Sequence, residues 1–241
     1  MKIIAVIPAR YDSTRFPGKP LKLLFNKPII QHVYSKVVDS ELFDDVIVAT
    51  DDQRIFDAVI QFDGKVMLTS KKHQSGTDRV AEICSKIDCD VVVNVQGDEP
   101  FISKKPLEEL VKVFNDEEVE VASLMHKITS DIENPNSVKV VTDNQNFALY
   151  FSRSVIPFRR DSKSQNPNYF KHIGVYAFRK DALLKYVNLP LSKLEKAEKL
   201  EQLRLLENGV KIKMVETDYT GIGIDTPEDL KKAEQIIQSK Y

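Results

Sequence analysis

Two strand-like segments constrain this chain more than any other feature: the continuous apolar run Ile3 to Ile7, and Val91-Val92-Val93-Asn94-Val95. A strand with one wet face alternates apolar with polar residues. These runs do not alternate, so each belongs to a strand buried on both sides, the condition of a parallel sheet covered by helices. The first run closes at Pro8. The second stops at Gln96-Gly97-Asp98-Glu99-Pro100, where glycine and proline forbid regular continuation, which places Asp98 at the carboxyl end of a strand.

The intervening sequence supplies the helices. Ile29, Ile30, Val33, Val37 and Val38 recur at helical spacing, and Val46 to Ala49 reads as the next buried strand. Asp51 or Asp52 caps a helix running to about Phe62; Gly64 ends it, Lys65 to Leu68 forms a strand, and Thr77 caps a helix to about Lys86. A helix from about Lys105 to Asn115 precedes strands near Val121 to Lys127, Val138 to Thr142 and Phe147 to Phe151. Pro157 to Asn168 is polar and is expected to be a mobile loop, and Tyr169 to Phe178 is a strand. Leu194 to Asn208 reads as one amphipathic helix ending at Asn208-Gly209, with a strand at Lys211 to Val215 after it. Thr226-Pro227-Glu228-Asp229 opens a last helix, with threonine as N-cap and proline at the first helical position. Strands alternating with helices give an α/β fold. With no repeat or interdomain linker, residues 1–241 read as a single domain.

Charge excludes some functions. Thirty-five Lys and Arg against 36 Asp and Glu leave a net charge of −1, so no bulk basic field points to nucleic acid or an anionic membrane. Cys84 and Cys89 lack zinc or C-x-x-C spacing, and no apolar stretch reaches the ~18 residues of a membrane span. The expectation is a cytoplasmic protein without membrane insertion. Its chemistry must come from local clusters.

Four such clusters stand out. Ala9-Arg10-Tyr11-Asp12-Ser13-Thr14-Arg15-Phe16-Pro17-Gly18-Lys19-Pro20 follows the first strand and sets Arg10, Arg15 and Lys19 among turn-forming residues. Open α/β sheets bind ligands beyond the carboxyl ends of their strands, so this loop suits a polyphosphate; otherwise it is a solvated turn. Gln96-Gly97-Asp98 brings a carboxylate to the same edge, and Asp225 precedes the last helix. Cations for phosphate beside sparse carboxylates suggest Mg²⁺, although Asp98 as a turn residue and Asp225 as a partner of the helix dipole are the plain alternatives. His73, Ser75 and Arg79 lie at a strand-to-helix junction, suited to an anion or base, with Ser75 or Thr77 as a simple cap in competition. Arg153, His172 and the pair Glu201-Gln202 form the fourth group; a histidine in a strand and a Glu-Gln pair on a helix are more often packing and solvated face.

In this order, the motifs resemble those of the 3-deoxy-manno-octulosonate cytidylyltransferases. The resemblance runs through Ile7 to Tyr11, Arg15 to Pro20, His73 to Arg79, Asn94 to Pro100, Tyr150 to Arg153, His172 to Tyr176, Leu200 to Arg204 and Asp225 to Asp229. It implies a nucleotidyltransferase fold, Rossmann-like and GT-A-like, with a mostly parallel mixed central sheet and helices on both faces. A small subdomain for dimerisation and sugar binding would span about residues 145–180. It further implies a homodimer that transfers CMP from CTP to the sugar acid Kdo, releasing pyrophosphate, for lipopolysaccharide inner-core synthesis.

By the same resemblance, Ala9, Arg10, Arg15, Lys19, His73, Ser75, Arg79 and Gln96 serve the nucleotide. Asp98 and Asp225 hold magnesium and act with Lys19 and Arg15 in catalysis, while Arg153, His172, Glu201 and Gln202 line the sugar pocket. Attack of the anomeric hydroxyl on the α-phosphorus needs positioning and charge neutralisation, not a covalent nucleophile. The rival readings are an acceptor other than Kdo, namely 8-amino-Kdo or sialic acid, and a nucleotide-binding regulatory protein without turnover.

Overall fold

The computed structural model of the protein describes residues 1–12, 16–161, 167–221 and 223–238. They fall into two compact units, Met1–Leu107 with Gly221–Tyr241, and Glu108–Thr220.

The first unit runs through β1 (Ile3–Ala9), a small hairpin of β2 (Leu23–Leu24) and β3 (Lys27–Pro28), α1 (Ile29–Val38), β4 (Asp45–Thr50), α2 (Gln53–Gln61), β5 (Val66–Leu68), α3 (Gly76–Lys86) and β6 (Val91–Asn94). Its sheet has the order β6-β1-β4-β5, and every pairing in it is parallel. All seven residues of β1 and all four of β6 are buried, as the apolar run of β1 and the three valines of β6 require; Asn94 is the buried polar residue that ends β6. β1 continues through Pro8, where the sequence alone ends it. Its pairing with β6 runs only from Ile3 to Val6, so Pro8 stands where β4 alone is a neighbour and proline is tolerated.

The helix starts follow side-chain chemistry. Asp52 caps α2 by accepting from the Arg54 N–H. Ser75, not Thr77, caps α3: its hydroxyl accepts from the Asp78 N–H while the Asp78 carboxylate accepts from the Ser75 N–H. That reciprocal pair needs an acid three residues after the cap, a condition Ser75 meets.

In sequence, α4 (Lys104–Lys112) spans the boundary between the units and ends in a 3₁₀ turn, Val113–Asn115. The second unit continues with β7 (Val121–Ile128), β8 (Lys139–Thr142), β9 (Ala148–Ser152), β10 (Tyr169–Arg179), α5 (Lys180–Tyr186), α6 (Lys193–Glu198), α7 (Leu203–Glu207) and β11 (Ile212–Glu216). β7 is parallel to β11 and antiparallel to β10; β8 pairs antiparallel with both β10 and β9. The loop expected to be mobile, Pro157 to Asn168, includes residues 162–166, outside the described residues.

One expected element is corrected. The single helix over Leu194 to Asn208 is two, α6 and α7, parted at Lys199, which adopts the left-handed conformation with φ 55°. Arg204 reaches back from α7 to hold the Glu195 carboxylate of α6 through two nitrogens. Leu200 and Leu203 are buried on either side of the turn, so the apolar spacing of a continuous helix survives the break. Glu201 and Gln202 consequently sit at the turn, with Gln202 as the N-cap residue of α7.

The chain then returns to the first unit through α8 (Pro227–Gln238). Thr226 is its cap as expected, accepting from the Asp229 N–H while its own N–H donates to the Asp229 carboxylate. Among the described residues no helix is long and apolar enough to cross a membrane.

Candidate active site

An apolar cluster underlies the first group of site residues. Phe16, Leu24, Ile29, Ile224 and Ala233 bury against one another, with Phe101, Leu230 and Ile237 packed on them. It joins the loop after β1 to the loop before α8. A backbone bond from the Ile224 N–H to the Asp98 carbonyl, 2.9 Å, ties the loop after β6 to the same place. Gly97 permits this approach, since a Cβ there would lie 2.9 Å from the Pro8 carbonyl oxygen.

Lys19 enters from a tight turn. Gly18, at φ 67°, donates its N–H to the Tyr11 carbonyl at 2.9 Å and starts the 3₁₀ turn Lys19–Leu21. The Lys19 Nζ then lies 2.5 Å from Asp98 Oδ2 and 2.9 Å from Asp225 Oδ1. Burial alone would lower the pKa of Lys19, but the charges and hydrogen bonds of Asp98 and Asp225 outweigh it and hold the ammonium above its ordinary value.

Two carboxylates far apart in sequence thus converge on one compact cation. Their oxygens are the hard donors magnesium takes, and one or two carboxylates with phosphates and waters complete its shell. The residues fit a divalent ion, although no group of three or more His, Cys, Asp or Glu that could hold a metal occurs among the described residues.

The other nucleotide-side candidates are placed as follows. Ala9 ends β1 and is buried, while Arg10 after it is exposed. Arg15 lies outside the described residues. Gln96 is half-buried, its Nε2 3.5 Å from Asn94 Oδ1. His73 Nε2 pairs with Glu82 Oε2 at 2.6 Å, and Ser75 is engaged as the α3 cap. Arg79 is buried, with Nη1 on the Thr69 hydroxyl and Nη2 2.9 Å from Asp51 Oδ2. Arg54 was not singled out by its sequence context, yet its guanidinium carbon lies 3.3 Å from the Tyr11 ring centroid, in the loop that carries Arg10.

The second unit holds the remaining group. The Arg153 Nε donates to the Glu198 carbonyl at 2.7 Å, Nη1 to the Pro135 carbonyl at 2.9 Å, and Nη2 to the Lys199 carbonyl at 3.4 Å. The Glu198 carboxylate accepts from the Ser152 hydroxyl and the Arg153 N–H, and Lys139, fully buried, donates to the Arg153 and Asn134 carbonyls. Neither Glu198 nor Lys139 carries a motif that would single it out. Both build the turn that presents Arg153.

His172 touches Phe151 edge-on, ring centroids 5.1 Å apart, and Tyr176 at 5.3 Å. Burial pushes its pKa down to about 3, with the Lys171 charge adding to the effect, so the imidazole is neutral at neutral pH. The Tyr176 hydroxyl is buried beside Ser123 without a well-aligned hydrogen bond, and the Gln202 Nε2 is buried with no partner among the described residues. Unsatisfied buried donors are costly. Glu201 is exposed, and its carbonyl accepts from the Tyr186 hydroxyl.

Residues 4–212 match the cytidylyltransferase family. The chain belongs to that family. A relative of this cytidylyltransferase in Flavobacterium johnsoniae, named 3-deoxy-manno-octulosonate cytidylyltransferase, is 54% identical and aligns over 99% of each chain. One of the same name in Christiangramia forsetii is 52% identical over 98% of this chain and 97% of its own. A solved structure of CMP:2-keto-3-deoxy-manno-octonic acid synthetase complexed with CTP superposes with a TM-score of 0.96, at 44% identity and full coverage of both chains. The α/β fold expected from the sequence is therefore the fold of this cytidylyltransferase.

Proposed function

We propose that the chain transfers CMP from CTP to 3-deoxy-D-manno-octulosonate, forming CMP-Kdo and pyrophosphate for the lipopolysaccharide inner core. The observation that carries the chemistry is the convergence of Asp98 and Asp225 on the Lys19 ammonium. Asp98 and Asp225 would hold a magnesium ion, which would supply Lewis-acid chemistry at the α-phosphate. Lys19, released from its two acidic partners, turns its charge to the triphosphate, where Arg10 and Arg15 join it to stabilise the departing pyrophosphate. Ala9 and Gln96 border the nucleotide at the strand ends. Ser75 and His73 stand at the start of α3, whose positive dipole end favours an anion or a base edge. Arg79 acts through the fold, tying α3 to Asp51 and Thr69.

On the sugar side, Arg153 spends three N–H groups on carbonyls and keeps two of a guanidinium's five for the acceptor's carboxylate. The Gln202 amide, whose Nε2 is buried without a partner, supplies a donor to a sugar oxygen; Glu201 and His172 supply acceptors. We place the protein in the cytoplasm as a homodimer, with the segment around residues 145–180 as the dimerisation and sugar-binding region of one nucleotidyltransferase chain.

Pyrophosphate release tests the reading, with CTP against ATP, GTP and UTP and with Kdo, 8-amino-Kdo and sialic acid as acceptors. CTP with Kdo should be fastest, activity should stop with EDTA, and excess Mg²⁺ should restore it. Faster release with 8-amino-Kdo or sialic acid reassigns the acceptor. No release with any pair rejects turnover.

A further inference from the structure

Ser123 in β7 is fully buried, and its Oγ faces three groups of β10: the Val175 carbonyl at 2.9 Å, His172 Nε2 at 3.0 Å and the Ile173 carbonyl at 3.2 Å. Carbonyl oxygens only accept, so the single hydroxyl proton goes to one of them, and Val175 is nearer. The Oγ lone pairs remain, and His172 Nε2 is placed to donate to them. With the hydroxyl proton on Val175, the Nε2–H tautomer completes the set and leaves Nδ1 as an acceptor that makes no hydrogen bond among the described residues.

The same hydroxyl sits at an irregularity of the strand. The register passes from Ile173 opposite Leu124 to Tyr176 opposite Ser123, so Gly174 and Val175 bulge from the ladder with no counterpart in β7. In a regular strand, residues four apart are separated by about 13 Å, yet the rings of His172 and Tyr176 are in contact at 5.3 Å. A Cβ on Gly174, between them in sequence, would meet no atom within 4 Å, so open space adjoins the bulge. The Ser123 Oγ thus sits within hydrogen-bond distance of the carbonyls that flank Gly174 and of the ring beside them.

We propose that Ser123 is a positioning residue of the sugar subsite, holding the β10 bulge and presenting His172 Nδ1 as an acceptor for a hydroxyl of the sugar acid. His172 then reads a hydroxyl, and the carboxylate is left to Arg153. The proposal rests on the reading of His172 as a sugar contact.

The test uses the full chain with ¹⁵N-labelled histidine, together with Ser123→Ala and His172→Phe. In the unaltered protein the ¹⁵N shifts of His172 should report Nε2–H, and addition of Kdo should move the Nδ1 signal. Ser123→Ala should mix the tautomers, raise the KM for Kdo about tenfold and leave the KM for CTP unchanged. His172 found as Nδ1–H in the unaltered protein overturns the proposal, a result that needs no variant to fold. So does a folded Ser123→Ala with an unchanged KM for Kdo, provided His172→Phe raises that KM. If His172→Phe also leaves it unchanged, the placement of His172 against the sugar fails and takes this proposal with it.

Discussion

Lys19 is held by two carboxylates whose own task lies elsewhere, and each of the three is identifiable by what its neighbours allow. Asp98→Asn keeps the volume and the backbone tie to Ile224 but removes one negative charge from the cation pocket. The expected outcome is a folded protein whose kcat falls by about 10²- to 10³-fold, measured by pyrophosphate release, with an unchanged melting temperature. Gly97→Ala tests the backbone approach instead. The added carbon would lie 2.9 Å from the Pro8 carbonyl oxygen, an atom fixed in β1, so stability should fall by about 1 to 3 kcal/mol in urea unfolding. Glycine's role here was legible as a break after β6. The need for it was not, because the atom it avoids lies almost ninety residues away in sequence.

Elements were legible wherever a period or a cap spelled them out. β6, α2 and α8 fall where their valines and capping residues put them and β1 runs two residues past its apolar run, whereas the α6–α7 break is invisible to periodicity because Leu200 and Leu203 stay buried across it. What holds the break is a long-range pair. Arg204→Met leaves the buried Glu195 carboxylate without its guanidinium, and unfolding free energy should fall by about 3 to 5 kcal/mol by urea titration. α3 offers a test of opposite character. Hydrogen bonds donated by Lys86, the Ser70 N–H and His73 hold the Glu82 carboxylate down to about 2. An acid with a lowered folded-state pKa contributes stability above its unfolded value, near 4.5, and loses it as pH falls toward 2. The melting temperature of the unaltered protein should therefore exceed that of Glu82→Gln at pH 7, with the gap closing between pH 4.5 and 2.

At the scale of the molecule, the first unit is discontinuous in sequence: residues 221–241 return to it after the whole second unit has been traced. The sequence shows no linker at the first boundary because α4 carries the chain across it as a helix. Chemistry in such a chain is best probed by what its ligands do to the whole. CTP with Mg²⁺ should raise the melting temperature in a concentration-dependent way, adding about 2.7 kcal/mol at a hundredfold excess over Kd, and EDTA should remove the metal-dependent part. Pairing of Asp98 with Asp225 was implied by the family resemblance of the two motifs together and not by the physics of either alone, since their proximity depends on Ile224 reaching the Asp98 carbonyl and on the apolar cluster beneath.

That cluster makes assembly of the reaction centre a late event in the life of each polypeptide. A ribosome that has delivered everything up to Thr220 has supplied all the strands, but Lys19 still faces one acid, and Phe16, Leu24 and Ile29 still lack Ile224 and Ala233. A nascent or clipped chain ending there would lack Asp225 and leave that apolar surface uncovered until α8 is added.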